Sequence, residues 1–175
     1  MVRKIGFGGG CHWCTEAVFS SLKGVLSVQQ GWIASTGEND AYSEAVIVEY
    51  DPSVIPTETL IAVHVYTHSS TTQHSMRSKY RSAVYYFDEN DIHEIKAALF
   101  VLQAEFEMPI VTQVLPYWGF RENIDEQKDY YYTDVNRPFC KTYIDPKLKV
   151  ILERFGDVAD MEKLKHLHGD GQAHL

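Results

Sequence analysis

The chain has 175 residues, of which 45% are hydrophobic and 23% charged, proportions that are typical of one globular domain and exclude a disordered chain. Its 16 lysines and arginines against 24 aspartates and glutamates give a net charge of -8, which disfavours binding to nucleic acid. The sequence has neither an apolar run of the ~20 residues that cross a membrane nor a secretory signal, so we expect a cytoplasmic protein without membrane contact.

Apolar periodicity and turn residues divide the chain into strands and helices. In chain order, they predict a strand over residues 4–7, a helix over 11–22, strands over 25–34 and 44–50, a helix over 57–66, a strand over 81–87, a helix over 90–107 and a strand over 109–115. This order predicts an α+β layered sandwich in which helices pack on one face of a mixed sheet of about four strands.

The sequence beyond Pro116 is aromatic and shows no regular period, so we expect it to wrap the domain without forming further elements. Residues 1–165 are predicted to form a single domain. Residues 166–175 contain three histidines between small and polar residues, and they predict a flexible tail.

The most informative local pattern is a run of three glycines that ends at Cys11. Glycines after a strand allow a tight turn, and the next residues open a helix whose unpaired N–H groups stabilise an anion. We therefore predict that Cys11 is a thiolate nucleophile. Three cysteines are too few for a disulfide framework, which favours reactive thiols in a reducing compartment.

Cys14 lies one helical turn beyond Cys11, and the two thiols could form a reversible disulfide. One alternative is that both cysteines are buried and act as small apolar residues. Another is a zinc site, which would need two more ligands at a suitable spacing. Only Cys140, His12 and distant histidines are available, so the spacing predicts no metal site.

Four short motifs follow one another along the chain. They are Gly10-Cys11-His12-Trp13, Gly31-Trp32, residues 44–52 with the sequence Glu-Ala-Val-Ile-Val-Glu-Tyr-Asp-Pro, and residues 80–86 with the sequence Tyr-Arg-Ser-Ala-Val-Tyr-Tyr. In this order the motifs resemble those of the A-class peptide methionine sulfoxide reductases, and the likeness extends over residues 5–146. The resemblance implies a ferredoxin-like two-layer α+β sandwich with a mixed sheet.

The resemblance also implies roles for five residues. Cys11 matches the nucleophile that attacks the sulfoxide sulfur, and Glu44 matches the acid that protonates the sulfoxide oxygen. Trp13 matches the wall of the pocket for the substrate's methyl group, and Tyr80 matches a hydroxyl that binds the oxygen. Cys140 matches the cysteine that resolves the sulfenic acid. By residue type alone, Glu44 could instead be an exposed charge, and Trp13 and Tyr80 could be packing residues.

Several positions depart from the family pattern. His12 replaces a phenylalanine of the methyl pocket, and Trp32 replaces a second hydrogen-bonding tyrosine. Cys14 stands where glycine is common, and His74-Ser75 replaces an Asn-Asp pair that helps to hold a water molecule. We still predict that His12 and Trp32 contact the substrate. The departures leave the nucleophile and the acid in place, and they leave the substrate preference open.

From these residues we predict an enzyme that reduces the S-sulfoxide of methionine, free or in peptides, without a metal or another cofactor. Attack by Cys11 leaves a sulfenic acid, which a second thiol converts into an intramolecular disulfide. Because Cys14 is one turn away, we predict that it resolves first and that Cys140 then passes the disulfide to a thioredoxin-like reductant. The alternatives are a divergent thiol–disulfide redox protein or sensor that uses the Cys11–Cys14 pair, and a metal-binding module.

Overall fold

A computed structural model of the chain describes residues 1–167. Its strands are β1 (Arg3–Gly8), β2 (Val25–Ala34), β3 (Ser43–Tyr50), β4 (Ala83–Tyr86), β5 (Gln113–Pro116) and β6 (Gly119–Glu122). Its α-helices are α1 (His12–Ser20), α2 (Thr57–Thr67), α3 (Ile92–Gln103), α4 (Tyr130–Thr133) and α5 (Asp145–Arg154). Within the described part of the chain, none of these helices has both the length and the apolar character needed to cross a membrane.

The strands form one mixed sheet with the order β5-β4-β1-β3-β2-β6. Strands β4 and β5 are parallel, and every other neighbouring pair is antiparallel. In the β1–β3 pair, Phe7 lies opposite Val46 and Gly8 lies opposite Ala45. This register brings the end of β1, where the glycine turn starts, next to the beginning of β3, where Glu44 lies.

Side chains of β1 alternate between the two faces of the sheet, because successive Cβ atoms of a strand point in opposite directions. Phe7 joins the larger core under the helices, where it stacks on Phe19 of α1 with ring centroids 4.4 Å apart. Gly6 points the other way, and a Cβ there would lie 2.8 Å from the side chain of Ile33. The second face therefore carries its own small core, which consists of Ile33, Ala45, Ile47, Ala83 and Tyr85.

Two features of the predicted fold are wrong. The sheet has six strands in the described residues rather than about four, and the chain beyond Pro116 contributes β6, α4 and α5. Strand β6 is only four residues long, so its sequence carries little periodicity. It pairs with β2 at Gly31, where a Cβ would lie 2.0 Å from the carbonyl oxygen of Arg121. Helix α5 is amphipathic, and its Leu148 and Ile151 are buried against the main core.

The last described residues lie against the domain. Leu167 is buried, and Nε2 of His166 lies 2.6 Å from the hydroxyl of Tyr131. The rest of the predicted tail, residues 168–175, lies outside the described residues.

Candidate active site

The glycine turn after β1 delivers Cys11 to the start of α1. The carbonyl oxygen of Cys11 accepts the N–H groups of Cys14 and Thr15 at 3.1 Å each, so Cys11 is the N-cap residue. The turn requires Gly9, because a Cβ there would lie 2.5 Å from the ring of His68. The half-buried Cys11 therefore lies at the positive end of a helix, where unpaired N–H groups favour a negative charge.

The two thiols in the first turn of α1 have opposite pKa shifts. The pKa of Cys11 is lowered, chiefly by a hydrogen bond with the Cys14 thiol and then by the His12 side chain and two backbone N–H groups of the helix. The pKa of Cys14 is raised by the same interaction with Cys11 and by burial. The pair thus keeps one proton on Cys14 while Cys11 carries the charge. Cys11 is therefore the nucleophilic thiolate of the two.

Glu44 lies at the start of β3, beside the glycine turn and opposite Trp32 of β2. Its Oε1 accepts the backbone N–H of His12 at 3.2 Å, and its side chain is 7% exposed. Burial raises the pKa of Glu44, and the interactions with His12 and Lys79 offset this effect only in part. A carboxyl group in this environment keeps its proton to a higher pH than a solvated one, as a general acid requires.

The His12 side chain lies between Glu44 and Trp32. Its Nδ1 is 3.2 Å from Oε1 of Glu44, and its ring meets the Trp32 ring edge-on with centroids 5.0 Å apart. On its other side, Nε2 lies 3.5 Å from the side-chain amide of Asn123. The potential ligand atoms of Cys11, His12 and Glu44 all lie within 4.8 Å of one another. The fold therefore brings three of the predicted site residues into one compact cluster, with Trp32 at its edge.

Trp13 belongs to a neighbouring aromatic stack. Its ring lies 4.1 Å from that of Tyr130 at an angle of 6°, and it meets Phe139 edge-on at 5.4 Å. The guanidinium of Arg137 lies 4.1 Å from the centre of the Tyr130 ring. The indole Nε1 is buried and makes no hydrogen bond within residues 1–167. The stack holds the indole in one orientation and forms an apolar wall two residues from the nucleophile.

A cavity of about 400 Å³ opens beside Cys11 and is also lined by Cys14, Tyr80, Phe139 and Lys147. Neither His12 nor Glu44 belongs to its lining, so Cys11 is the residue shared by the cavity and the buried cluster. A larger cavity of about 580 Å³ lies between α2, α3 and the end of α5, and no cysteine lines it. The smaller cavity is therefore the candidate substrate site.

Arg77 fixes the loop that carries Tyr80. Its Nη1 donates to the carbonyl oxygen of Tyr80 at 2.8 Å and to that of Gly9 at 3.0 Å. Its Nε donates to the carbonyl oxygen of Thr72 at 2.9 Å. One guanidinium thus ties the loop to the glycine turn and holds Tyr80 near Cys11.

Cys140 is fully buried at the start of a π-helix, Cys140–Ile144. Its thiol donates to the carbonyl oxygen of Asp134 at 3.7 Å, and burial raises its pKa. A negative charge on the Cys140 thiol would raise the pKa of Cys14, so the two thiols interact electrostatically. All three cysteines are free thiols in this structure. In this structure Cys140 therefore has no surface that an external reductant could contact.

Two residues near the thiols were missed by sequence reasoning. Burial lowers the pKa of Lys147 on α5, and the thiols of Cys14 and Cys11 partly counteract that effect. The sequence predicts an irregular segment beyond Pro116, so it gives no indication that Lys147 lies on a helix near the thiols. His64 of α2 supports the turn, since its Nε2 lies 2.7 Å from the carbonyl oxygen of Gly8. Burial lowers the pKa of His64 to about 4, so the imidazole that supports the turn is uncharged at neutral pH.

A low-pKa thiol beside a buried acid is the chemistry of a thiol-dependent oxidoreductase, and this is the class that the fold and the site define. A family model described as "Peptide methionine sulfoxide reductase" matches residues 3–158. The peptide methionine sulfoxide reductase MsrA of Sulfolobus acidocaldarius is 33% identical to this chain over 168 residues, which cover 88% of this chain and 96% of the relative. The chain therefore belongs to the peptide methionine sulfoxide reductase family.

Solved structures show a similar fold. The reduced form of Mxr1 from Saccharomyces cerevisiae aligns with a TM-score of 0.71 at 19% identity, over 81% of this chain and 91% of that one. Mxr1 in complex with Trx2 aligns with a TM-score of 0.58 at 23% identity, over 72% of this chain and 83% of that one. The α+β class with a mixed sheet is confirmed. The predicted family is confirmed as well, and with it an enzyme that reduces methionine sulfoxide with a thiol.

Proposed function

We propose that Cys11 and Glu44 carry out the reduction together. The observation that carries this proposal is the distance between them, since Sγ of Cys11 lies within 4.8 Å of a Glu44 carboxyl oxygen. A single sulfoxide group can therefore meet both side chains at once. Glu44 gives its proton to the sulfoxide oxygen, which makes the oxygen easier to remove from sulfur.

The Cys11 thiolate then attacks the substrate sulfur. The sulfur–oxygen bond of the substrate breaks, methionine leaves, and the protonated oxygen ends on Sγ as a sulfenic acid. The substrate sulfur gains two electrons and Cys11 loses two, so this half of the reaction needs no cofactor.

We assign substrate binding to His12, Trp13, Trp32 and Tyr80. The indole of Trp13, which stacks on Tyr130, provides an apolar surface for the methyl group of the substrate. The Tyr80 hydroxyl binds the substrate from the cavity that Tyr80 and Cys11 both line. His12 and Trp32 add ring N–H donors on the side of Glu44. The proposed substrate is the S-sulfoxide of methionine, free or in peptides, and the choice of the S epimer follows from the resemblance to the A-class reductases.

We propose that Cys14 resolves the sulfenic acid. Its thiol already interacts with that of Cys11, and condensation of the two releases water and forms a disulfide. The Cys140 thiolate then attacks one sulfur of this disulfide. A new disulfide that includes Cys140 forms, the Cys11–Cys14 bond breaks, and the other of the two cysteines is released as a thiol. A thioredoxin-like protein is the proposed final reductant, a choice supported by the Mxr1 fold neighbour that was solved in complex with Trx2.

Counting thiols tests the reaction itself. The reduced protein, incubated with N-acetyl methionine S-sulfoxide and no other reductant, should lose two thiols for each methionine formed. The R-sulfoxide serves as the matched control and should leave the thiol count unchanged. A sensor that uses the Cys11–Cys14 pair is the second candidate, since these two thiols interact directly. Loss of thiols to peroxide but to no sulfoxide would favour the sensor.

The order of disulfides tests the resolving step. Peptide mapping of protein that is trapped after one turnover should show a Cys11–Cys14 bridge first and a bridge that includes Cys140 later. Cys14→Ser should slow disulfide formation, because the buried Cys140 must then be exposed before it can react. Cys140→Ser should leave the first bridge intact. A Cys11–Cys140 bridge that forms at full rate in Cys14→Ser would show that Cys14 is dispensable.

We further propose that β4-β1-β3-β2 is a ferredoxin-like core extended by an edge strand on each side. The support is the chain order of two strand–helix–strand units in which α1 and α2 pack on the same core. Residues 1–165 are proposed to be one reductase domain, since a single main core takes in buried residues from Ile5 to Leu164 and extends to Leu167. A cytoplasmic location is proposed because the three cysteines are unpaired thiols.

A further inference from the structure

The buried cluster of Cys11, His12 and Glu44 contains three different side chains that ligate metal ions. It offers a sulfur, an imidazole nitrogen and a carboxyl oxygen, all within 4.8 Å of one another. Zinc sites with three protein ligands and one open position draw on these three ligand types. The sequence predicted no such site because Glu44 reaches the two neighbouring residues only through the pairing of β1 with β3.

His12 provides the second observation. The residue is 6% exposed, and its Nδ1 is buried with no hydrogen-bond partner within residues 1–167. Oε1 of Glu44 is only 3.2 Å away, yet the two atoms do not have the geometry of a hydrogen bond. A buried, unpaired ring nitrogen is costly unless a third group satisfies it.

The spacing fits a metal ion as that third group. Zinc lies ~2.0–2.2 Å from nitrogen and oxygen ligands, so two ligands at tetrahedral angles are about 3.4 Å apart. The Nδ1–Oε1 distance of 3.2 Å agrees with this value. Sγ of Cys11 lies within 4.8 Å of the other two ligand atoms, so it must move toward them by up to about 1 Å to reach the same ion. Cys11 lies at the N-terminal end of α1, a position that favours a thiolate, the form that binds metal. Thiolate together with imidazole selects zinc over magnesium or calcium.

Lys147 of α5 is the positive charge on the Cys11 side of the cluster. On the Glu44 side the positive charge is Lys79. Its Nζ lies 3.7 Å from Oε2 of Glu44, but its side chain is 56% exposed and can turn into solvent. Asn123 lies beside Nε2 of His12 and leaves Nδ1 free. Neither Lys79 nor Asn123 blocks a cation between the three ligand atoms.

We propose that Cys11, His12 and Glu44 bind one Zn²⁺ ion, which blocks the thiolate and the acid and reversibly inhibits the reductase. The inhibition rests on the proposed function, whereas the binding does not. Thiol oxidation at Cys11 removes a ligand, so only the reduced enzyme can hold the ion.

Direct metal binding tests the site separately from activity. The reduced full chain, with His168→Ala and His174→Ala to remove ligands of the C-terminal segment, is titrated with Zn²⁺ against a chromophoric chelator. One equivalent should bind. Cys11→Ser, His12→Phe and Glu44→Gln should each weaken binding at least about 10-fold, the minimum effect seen even for residues that merely support a ligand. Co²⁺ should give a thiolate charge-transfer band that Cys11→Ser abolishes.

Two matched controls keep the proposal falsifiable. Cys14→Ser removes the neighbouring thiol, and His74→Phe removes an exposed histidine that lines the cavity beside Cys11. His74→Phe should retain one equivalent of zinc at full affinity. Cys14→Ser should also retain one equivalent, with its affinity lowered only as far as the loss of the Cys14 thiol makes Cys11 harder to deprotonate. Binding that is lost in Cys14→Ser but survives in His12→Phe and Glu44→Gln would assign the ion to the thiol pair and overturn the proposal. A reduced protein that binds no zinc would overturn it as well.

The inhibition is measured last. Sulfoxide reduction by the metal-free enzyme should fall in proportion to zinc occupancy and return when a chelator is added. Full turnover by the zinc-loaded enzyme would overturn the inhibitory role. Zinc binding by the three residues in a protein that reduces no sulfoxide would instead count against the proposed function alone.

Discussion

Replacing Cys11 by serine should abolish turnover, with a loss of about 10⁴-fold or more that reaches the uncatalysed background. The hydroxyl of serine stays protonated at neutral pH even at a helix N-terminus. Serine oxygen, moreover, cannot be oxidised to the counterpart of a sulfenic acid, so it cannot accept the oxygen of the sulfoxide. The measurement is methionine formed per protein in a single turnover, together with trapping of the sulfenic acid by a dimedone probe.

Cys14 and Cys140 cannot take over this role, because both are buried and burial alone raises the pKa of each thiol. The matched control is Cys140→Ser, which should still form one methionine per protein in a single turnover. Cys14→Ala should also form one methionine, but the pH midpoint for alkylation of Cys11 should rise, since the Cys14 thiol is the chief cause of the lowered pKa. Normal turnover by Cys11→Ser would show that another thiol carries the reaction.

The sequence predicts the presence of a strand or helix better than the residues at which it begins and ends. Strand β2 has the predicted bounds, whereas α3 is shorter than predicted at both ends. Asp88 accepts the N–H of Asn90 at 2.9 Å and forms a separate turn before the helix. At the other end, Oε1 of Gln103 accepts the N–H of Ile110 at 2.8 Å and stabilises the loop that follows. Such side-chain contacts leave no periodic signal.

In the candidate site, too, the features that are local in sequence can be predicted and those that depend on tertiary contacts cannot. The position of Cys11 can be predicted because three glycines and a helix start are adjacent in sequence. The surroundings of Glu44 cannot, since they depend on the β1–β3 register and on His12, which comes from another element. The resemblance to a family supplied Glu44, but the contact between its carboxylate and Nδ1 of His12 comes from the structure alone. Lys147 was hidden by the length of chain that separates α5 from the glycine turn.

Glu44→Gln should lower the rate of sulfoxide reduction by about 10²–10⁴-fold, the usual contribution of a positioned general acid. The amide oxygen of glutamine can still accept the N–H of His12, so the local structure should be retained. The lost function is proton donation, because an amide cannot supply a proton to the sulfoxide oxygen. The single-turnover rate of methionine formation measures the effect, and a pH series shows its cause.

The sign of the pH effect follows from the raised pKa of Glu44. The acid is active when protonated, so the rate of the parent enzyme should fall as pH rises through this pKa, and Glu44→Gln should lack that limb. The folded state also binds this proton more tightly than the unfolded state does. The free energy of unfolding therefore decreases as pH rises from the pKa of Glu44 in the unfolded state through its higher pKa in the folded state. Glu44→Gln should therefore be at least as stable as the parent at neutral pH, which separates lost catalysis from lost folding.

Glu49→Gln is the matched control for Glu44→Gln. Glu49 lies on the same strand, and its carboxylate pairs with Lys4 at 3.4 Å at the surface. Exposed ion pairs contribute little to stability, and Glu49 is remote from Cys11 along β3, so rate and pH profile should stay unchanged. A near-normal rate in Glu44→Gln with the parent's pH profile would remove Glu44 from the mechanism. The proton would then have to come from another group that lines the cavity beside Cys11, such as the hydroxyl of Tyr80 or Tyr143.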